Sequence, residues 1–297
     1  MYLIIKAAYS FFSLFSFSAL QRTGQTIGSL AYYILTSRRK AAEINCRIIG
    51  IKENNISQVV KSSFRHTFSA YFESFYVKNI DERFLDEMVD VEYLDGVKPE
   101  GNRYFFISAH FGAWELAPYV ITKILGLKGA AVARKIKDEK LDKFIMKQRT
   151  NSDMQYIHHR GAGEKINEYI DKELSIGALL DHSSMPADSF SIPFFGLNTT
   201  FMKGIPLLSV RREYPILPAF IVRKDKGFKL LVYPVIHPNK DLKPKLRVYD
   251  VAKRINEVYE DVIKRHPDQW YLIHKRFKRL ADENGNFIKN SSVYKKN

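Results

Sequence analysis

From Tyr104 to Val235, short apolar runs alternate with stretches whose apolar residues recur at helical spacing, and polar or glycine-rich turns separate them. Tyr104–Ala109, Gly129–Ala133, Met154–Ile157 and Ser175–Asp181 read as strands. Ala113–Leu125, Glu139–Thr150 and Glu164–Glu173 read as the helices between them, and Thr200–Arg211 as a further helix beyond a loop holding Pro186 and Pro193. Strands joined through helices cannot pair as hairpins, so most of them should run parallel. Ile216–Arg223 and Phe228–Val235 are the exception, two strands around Asp225–Lys–Gly227 that predict an antiparallel hairpin. The expected fold is α/β, a mostly parallel central sheet flanked by helices. A chain of 297 residues with 45% hydrophobic residues has ample material for that core.

The flanking segments add to this frame. Residues 54–78 carry an aromatic stripe (Val60, Phe64, Phe68, Phe75) at helical spacing, which predicts a packed helix. Residues 81–99 read as a connector with a short strand near Val91–Leu94, and Val251, Ile255, Val258 and Val262 mark a late amphipathic helix. Met1 to Leu20 is dominated by apolar residues and reaches spanning length only by tolerating Lys6, whose side chain can snorkel. A second apolar patch at Ile27–Leu35 is too short to span, and the basic cluster Ser37–Arg–Arg–Lys40 suits anionic headgroups. Residues 1–36 therefore read as a membrane-attached helical segment, with an ordinary core helical pair as the alternative. Residues 37–283 form the α/β domain, and 284–297, without an apolar period, are expected to fray.

The chemistry concentrates where predicted strands end. Tyr104–Phe–Phe–Ile–Ser–Ala–His110 delivers a histidine to a strand's carboxyl end, the edge at which open α/β sheets hold their ligands. Glu115 follows five positions later; in the first turn of a helix it would reach back to the imidazole and fix its tautomer, as a general base requires. The segment Ala133–Arg149 carries seven basic residues against three acidic. Arg134 follows a strand and Arg149 closes the next helix, and the fixed fork of arginine suits a phosphate or a developing oxyanion. Asp181 ends another strand, where it would orient a substrate, bind a metal or cap a turn. His158, His159 and His182 do not make a metal-ligand spacing. The single cysteine, Cys46, rules out an internal disulfide and a cysteine metal cluster. Phosphate-loop, dinucleotide and Gly-x-Ser-x-Gly motifs are absent, which leaves direct activation of an incoming hydroxyl. The net charge of +15 calls for an anionic partner. With the aromatic-basic run Pro267–Arg279, it also admits a nucleic-acid surface, although no binding module is present.

Taken in order, these segments resemble the bacterial lipid A late acyltransferases of the lysophospholipid-acyltransferase-like superfamily. The resemblance rests on His110-Phe-Gly-Ala-Trp-Glu115, Arg134, Arg149, Phe194–Phe–Gly196, Thr200, Gly204, Gln269–Trp270 and His274–Lys278. It departs at Asp181–His182, where relatives carry Asp–Gln, and at Leu272, where they often carry tryptophan. The resemblance implies an enzyme of glycerolipid-acyltransferase-like fold at the cytoplasmic face of the inner membrane. It would take a fatty acyl chain from an acyl carrier protein thioester, or from acyl-CoA, and pass it to a hydroxyl of an anionic lipid A precursor. His110 and Glu115 would be catalytic, with Arg134, Arg149 and Asp181 binding substrate, and no metal, other cofactor or nucleic acid would be involved. Another glycolipid, an aminolipid or a lysophospholipid would be the alternative acceptors.

Overall fold

A computed structural model describes residues 2–150, 153–159, 161–289 and 291–294. Four helices open the chain: α1 (Tyr2–Phe12), α2 (Phe17–Ile34), α3 (Thr36–Ile48) and α4 (Glu53–Glu73). After a 3₁₀ turn come α5 (Glu82–Met88), β1 (Val89–Tyr93), β2 (Phe105–Ser108), α6 (Ala117–Leu125), β3 (Gly129–Ala133), α7 (Glu139–Arg149), β4 (Met154–His158), α8 (Ala162–Asp171) and β5 (Ser175–Leu179). The chain then forms a two-stranded hairpin, β6 (Ser189–Phe194) and β7 (Leu197–Met202), followed by α9 (Gly204–Arg212), β8 (Ile216–Arg223), β9 (Phe228–Val232) and α10 (Pro244–Arg265).

Seven strands form one sheet in the order β1-β9-β8-β2-β5-β3-β4. β2, β3, β4, β5 and β8 run parallel, and β9 turns back antiparallel on β8. The carboxyl ends of the five parallel strands therefore lie along one edge. Alternate residues of β2 serve opposite faces, as the pleat requires: Phe105 and Ile107 pack in one apolar layer with α10 and α8, and Phe106 in the other with α6. Both layers are buried, which is why β2 reads as a continuous apolar run rather than an alternating one.

The amino-terminal segment is not one long helix. It breaks at Ser13–Ser16, where Ser16 caps α2 by accepting from the Ala19 N–H. Among the described residues no helix is long and apolar enough to cross a membrane. α2 lies tightly on α4 because Gly24 and Gly28 leave room for it: a Cβ at Gly28 would sit 2.6 Å from the Phe64 carbonyl oxygen. One face of this segment is thus a core helical pair. Its other face leaves Leu3, Ile4, Leu14, Leu30, Tyr33 and Ile34 exposed.

The loop holding Pro186 and Pro193 is mostly the β6–β7 hairpin, and the helix expected from Thr200 begins only at Gly204. Fraying is also not what the described part of the carboxyl terminus shows. Ser291 accepts from the Leu280 N–H at 2.8 Å, and the Tyr294 hydroxyl accepts from the Phe277 N–H at 3.1 Å and donates to Asn45. The absence of an apolar period misled because these anchors are polar. Met1, Asn290 and residues 295–297 lie outside the described residues.

Gly112 is one of the tightest points of the fold. Its φ of +56° is in the left-handed region, and a Cβ there would lie 1.8 Å from the Ile221 carbonyl oxygen. Gly112→Ala should therefore destabilise the protein by at least about 2 kcal/mol, read as a lower urea midpoint for the purified protein.

Candidate active site

The site is set by the pairing of β2 with β5. In that register Ser108 lies opposite Leu179, so the chains leaving the two strands carry His110 and Asp181 out side by side. Their contact is direct, with His110 Nδ1 2.9 Å from Asp181 Oδ1. The Asp181 side chain is almost fully buried, 1% exposed, whereas that of His110 is 22% exposed. The second carboxylate oxygen accepts from the Trp270 indole N–H at 3.1 Å. Burial alone would raise the Asp181 carboxyl. The adjoining His110 imidazole, with His182 and the indole N–H, outweighs that and holds it well below the usual carboxylate range. A carboxylate that stays ionised fixes the proton of His110 on Nδ1, and Nε2, which has no hydrogen-bond partner among the described residues, is left for a substrate.

Glu115 does not reach His110, and the expected dyad does not form. The helix begins at Ala117 rather than at Ala113. Residues 111–116 instead form a turn tied down from outside: the Gly112 N–H donates to the Gln269 carbonyl at 2.9 Å, and the Ala113 N–H to that of Ile221 at 3.1 Å. This turn aims Glu115 at α7, where one terminal nitrogen of Arg149 lies 2.9 and 2.8 Å from its two oxygens. The Glu115 charge raises the Arg149 pKa against the opposing effect of burial. The site thus holds two carboxylate-to-base pairs, His110 with Asp181 and Arg149 with Glu115. Arg134 sits at the end of β3, exposed, and makes no ion pair among the described residues.

Further parts of the site come from segments that no spacing rule links to His110. The run after Pro267 is a single 3₁₀ turn and then irregular chain. It is threaded between α4 and the site: the Tyr271 N–H donates to the His110 carbonyl at 2.9 Å, and Ser63 and Asn45 hold the Trp270 and Leu272 carbonyls. Trp270, Leu272, Arg276 and Phe277 are buried, so this part of the run packs into the scaffold. Arg223, at the end of β8, donates to Glu73 at 2.7 Å and to the Gly112 carbonyl at 3.2 Å, joining α4 to the turn. Gln21 donates to the same Glu73 at 2.8 Å, which brings α2 into the clamp.

Asp181 also carries its neighbour into the site. The His182 ring lies flat on that of His110, with centroids 3.8 Å apart and 2° between planes, and His274 stacks behind it at 4.0 Å. His110, Asp181 and His182 are close enough to suggest a metal site. Their geometry opposes one: both Asp181 oxygens are engaged, and the lone pairs of two parallel stacked rings run side by side instead of converging. Burial pushes His182 down to about 4, with Asp181 opposing and His110, Arg276 and Lys278 adding to it. His274 falls to about 3, by burial first and His182 next.

A histidine held by a buried carboxylate thus lies at the carboxyl edge of a parallel sheet, where α/β enzymes place their ligands. The chain belongs to the bacterial lipid A biosynthesis acyltransferase family, whose model matches residues 2–279, and it is an acyltransferase. Among solved structures it is similar to the 1-acyl-sn-glycerophosphate (LPA) acyltransferase PlsC from Thermotoga maritima. That likeness has 15% identity and a TM-score of 0.36, over 81% of this chain and 98% of that one. No curated protein matches the chain.

The depressed histidines set a pH dependence. Both ordinarily titrate near 6.5 but stay neutral in the fold to about 4 and 3. Between those values the unfolded chain binds protons that the native chain does not, so stability is full above about pH 6.5 and falls as the pH drops toward 4. Urea midpoints measured across this window should decline with acid, and His182→Phe should decline less steeply.

Proposed function

We propose that the chain transfers a fatty acyl group from a thioester, carried by acyl carrier protein or coenzyme A, to a hydroxyl of a lipid A precursor. The observation that carries this reading is the His110–Asp181 pair, with Nδ1 engaged and Nε2 open. Nε2 takes the proton of the acceptor hydroxyl as its oxygen attacks the thioester carbonyl. The Nδ1–H bond to Asp181 offsets the positive charge that forms on the ring. The tetrahedral intermediate then collapses, the carbon–sulfur bond breaks, and the imidazolium proton goes to the departing thiolate. Base assistance of this kind contributes about 10²–10⁴-fold. Arg149, held through one nitrogen by Glu115, keeps other N–H groups for an anionic substrate group. Arg134, exposed at the same edge, adds positive charge there.

Two surfaces support the choice of substrates. Arg134, Lys135, Lys137, Lys140, Lys143 and Lys147 are all exposed and make no ion pair among the described residues. On α10, by contrast, Lys253, Arg254, Lys264 and Arg265 each pair with an acid one turn away. Two of the three acids in this segment are occupied internally. Asp138 caps α7, and the buried Asp142 accepts from the Ile136 N–H and pairs with His158. The unneutralised face suits an acidic carrier protein. The exposed apolar side chains of α1 and α2, with Arg38 and Lys40 close by in sequence, suit attachment of residues 1–36 along the cytoplasmic face of the inner membrane, where a glycolipid acceptor resides. Another glycolipid, an aminolipid or a lysophospholipid would use the same chemistry, and lipid mass spectrometry of a deletion strain separates these acceptors.

His110→Ala and Asp181→Asn should each lower kcat by about 10²-fold or more in a purified transfer assay; near wild-type turnover by His110→Ala would end the general-base assignment. Glu115→Gln should act through Arg149, raising the KM for a phosphorylated acceptor. Reversing Lys140, Lys143 and Lys147 to Glu should raise the KM for a carrier-protein thioester about 10-fold and leave transfer from a small pantetheine thioester intact.

A further inference from the structure

The column of three imidazoles is not needed to hold Asp181, and the departure from the family's Asp–Gln pattern puts its middle ring in place. We propose that His182 is a positioning residue for acyl transfer: its flat face fixes the plane of the His110 ring, and it meets the imidazolium with an uncharged π surface.

The geometry supports both halves. At 3.8 Å and 2° the His110 and His182 rings are in full face contact, and His274 closes the far side of His182 at 4.0 Å and 22°. The Tyr271 ring flanks both His110 and His182, 5.7 and 5.8 Å away, each at 35°. His110 is thus held at its Nδ1 edge by Asp181 and across one face by His182. A rotation about its ring bond would have to break the hydrogen bond and the stack together. The stack is also the weak point of a base with one carboxylate partner: without it, a single 2.9 Å bond would leave the ring plane free to swing.

The column stays uncharged next to a ring that gains charge. The Ser183 N–H lies 3.3 Å from His274 Nε2, which makes that nitrogen an acceptor and His274 a neutral ring. His182 Nε2 is buried without a hydrogen-bond partner among the described residues, so a proton placed there would have no acceptor. The charged groups facing His182 are Asp181, which favours protonation, and His110, Arg276 and Lys278, which oppose it. The π face of a neutral ring attracts a cation. A second imidazolium would repel it.

The inference rests on His110 acting as the base, and the test separates the two. His182→Phe keeps a flat ring without nitrogens, whereas His182→Leu fills similar space with no flat face; His182→Met takes its place should the leucine variant not fold. With thermal melts confirming folded protein, His182→Leu should lose about 10-fold in kcat while both KM values stay put, and His182→Phe should recover most of that loss. Wild-type kcat in folded His182→Leu would overturn the proposal, because space-filling would then suffice. So would equal losses in the Phe and Leu variants, because the nitrogens rather than the flat face would then matter. Undiminished transfer by His110→Ala would instead remove the base itself and, with it, the premise.

Discussion

A carboxylate with almost no access to water sits at the centre of this structure, and much of the site is arranged to keep it charged. A buried charge is costly unless hydrogen bonds and an opposite charge offset it. Asp181 meets that requirement with the His110 imidazole on one oxygen and the Trp270 indole on the other. These two bonds draw together the end of β2, the end of β5 and the irregular chain after Pro267. The Arg276 guanidinium, equally buried, favours the Asp181 charge over a longer range, while its own burial lowers its pKa to about 10. The same contacts that stabilise the carboxylate fix the tautomer and aim of His110.

The scaffold around this centre is polar where regular secondary structure is missing. The turn after His110 and the run after Pro267 have few ladder bonds of their own, and side chains of other segments supply what backbone pairing does not. Gln269 bonds both the Arg223 N–H and its carbonyl, Ser63 and Asn45 hold carbonyls of the run, and the Glu73–Arg223 pair connects α4 to Gly112. Through Gln21 that network extends into α2. The helices that carry the exposed apolar face are thus packed into the same unit as His110.

How much of this the sequence disclosed follows from the range of each interaction. β3, α7 and the β8–β9 hairpin were legible because apolar period and turn residues are local signals. So was His110 at the end of β2, where strand and turn lie within seven residues. The pairing of His110 with Asp181 was not legible, although both stood out as strand-end residues. It depends on β5 lying next to β2, and no local pattern encodes strand order. Glu115 was assigned to the wrong partner for a related reason. Its direction is set by Gln269 and Ile221 holding the turn, contacts far away in sequence. The ring column was hidden as well, since His182 and His274 carry no periodic signal. The one hint was the departure from Asp–Gln at position 182. A serine- and phenylalanine-rich amino terminus also read more like a continuous apolar segment than the two helices it forms, because composition does not reveal the cap at Ser16.

Asp181, rather than Glu115, which is nearer only in sequence, holds the His110 imidazole. Nitrogen NMR of the His110 ring in full-length protein tests it most directly, with wild type compared against Asp181→Asn and Glu115→Gln. The proton should reside on Nδ1 in wild type, remain there in Glu115→Gln, and lose that preference in Asp181→Asn. A tautomer that changes with Glu115→Gln and ignores Asp181→Asn would contradict the account.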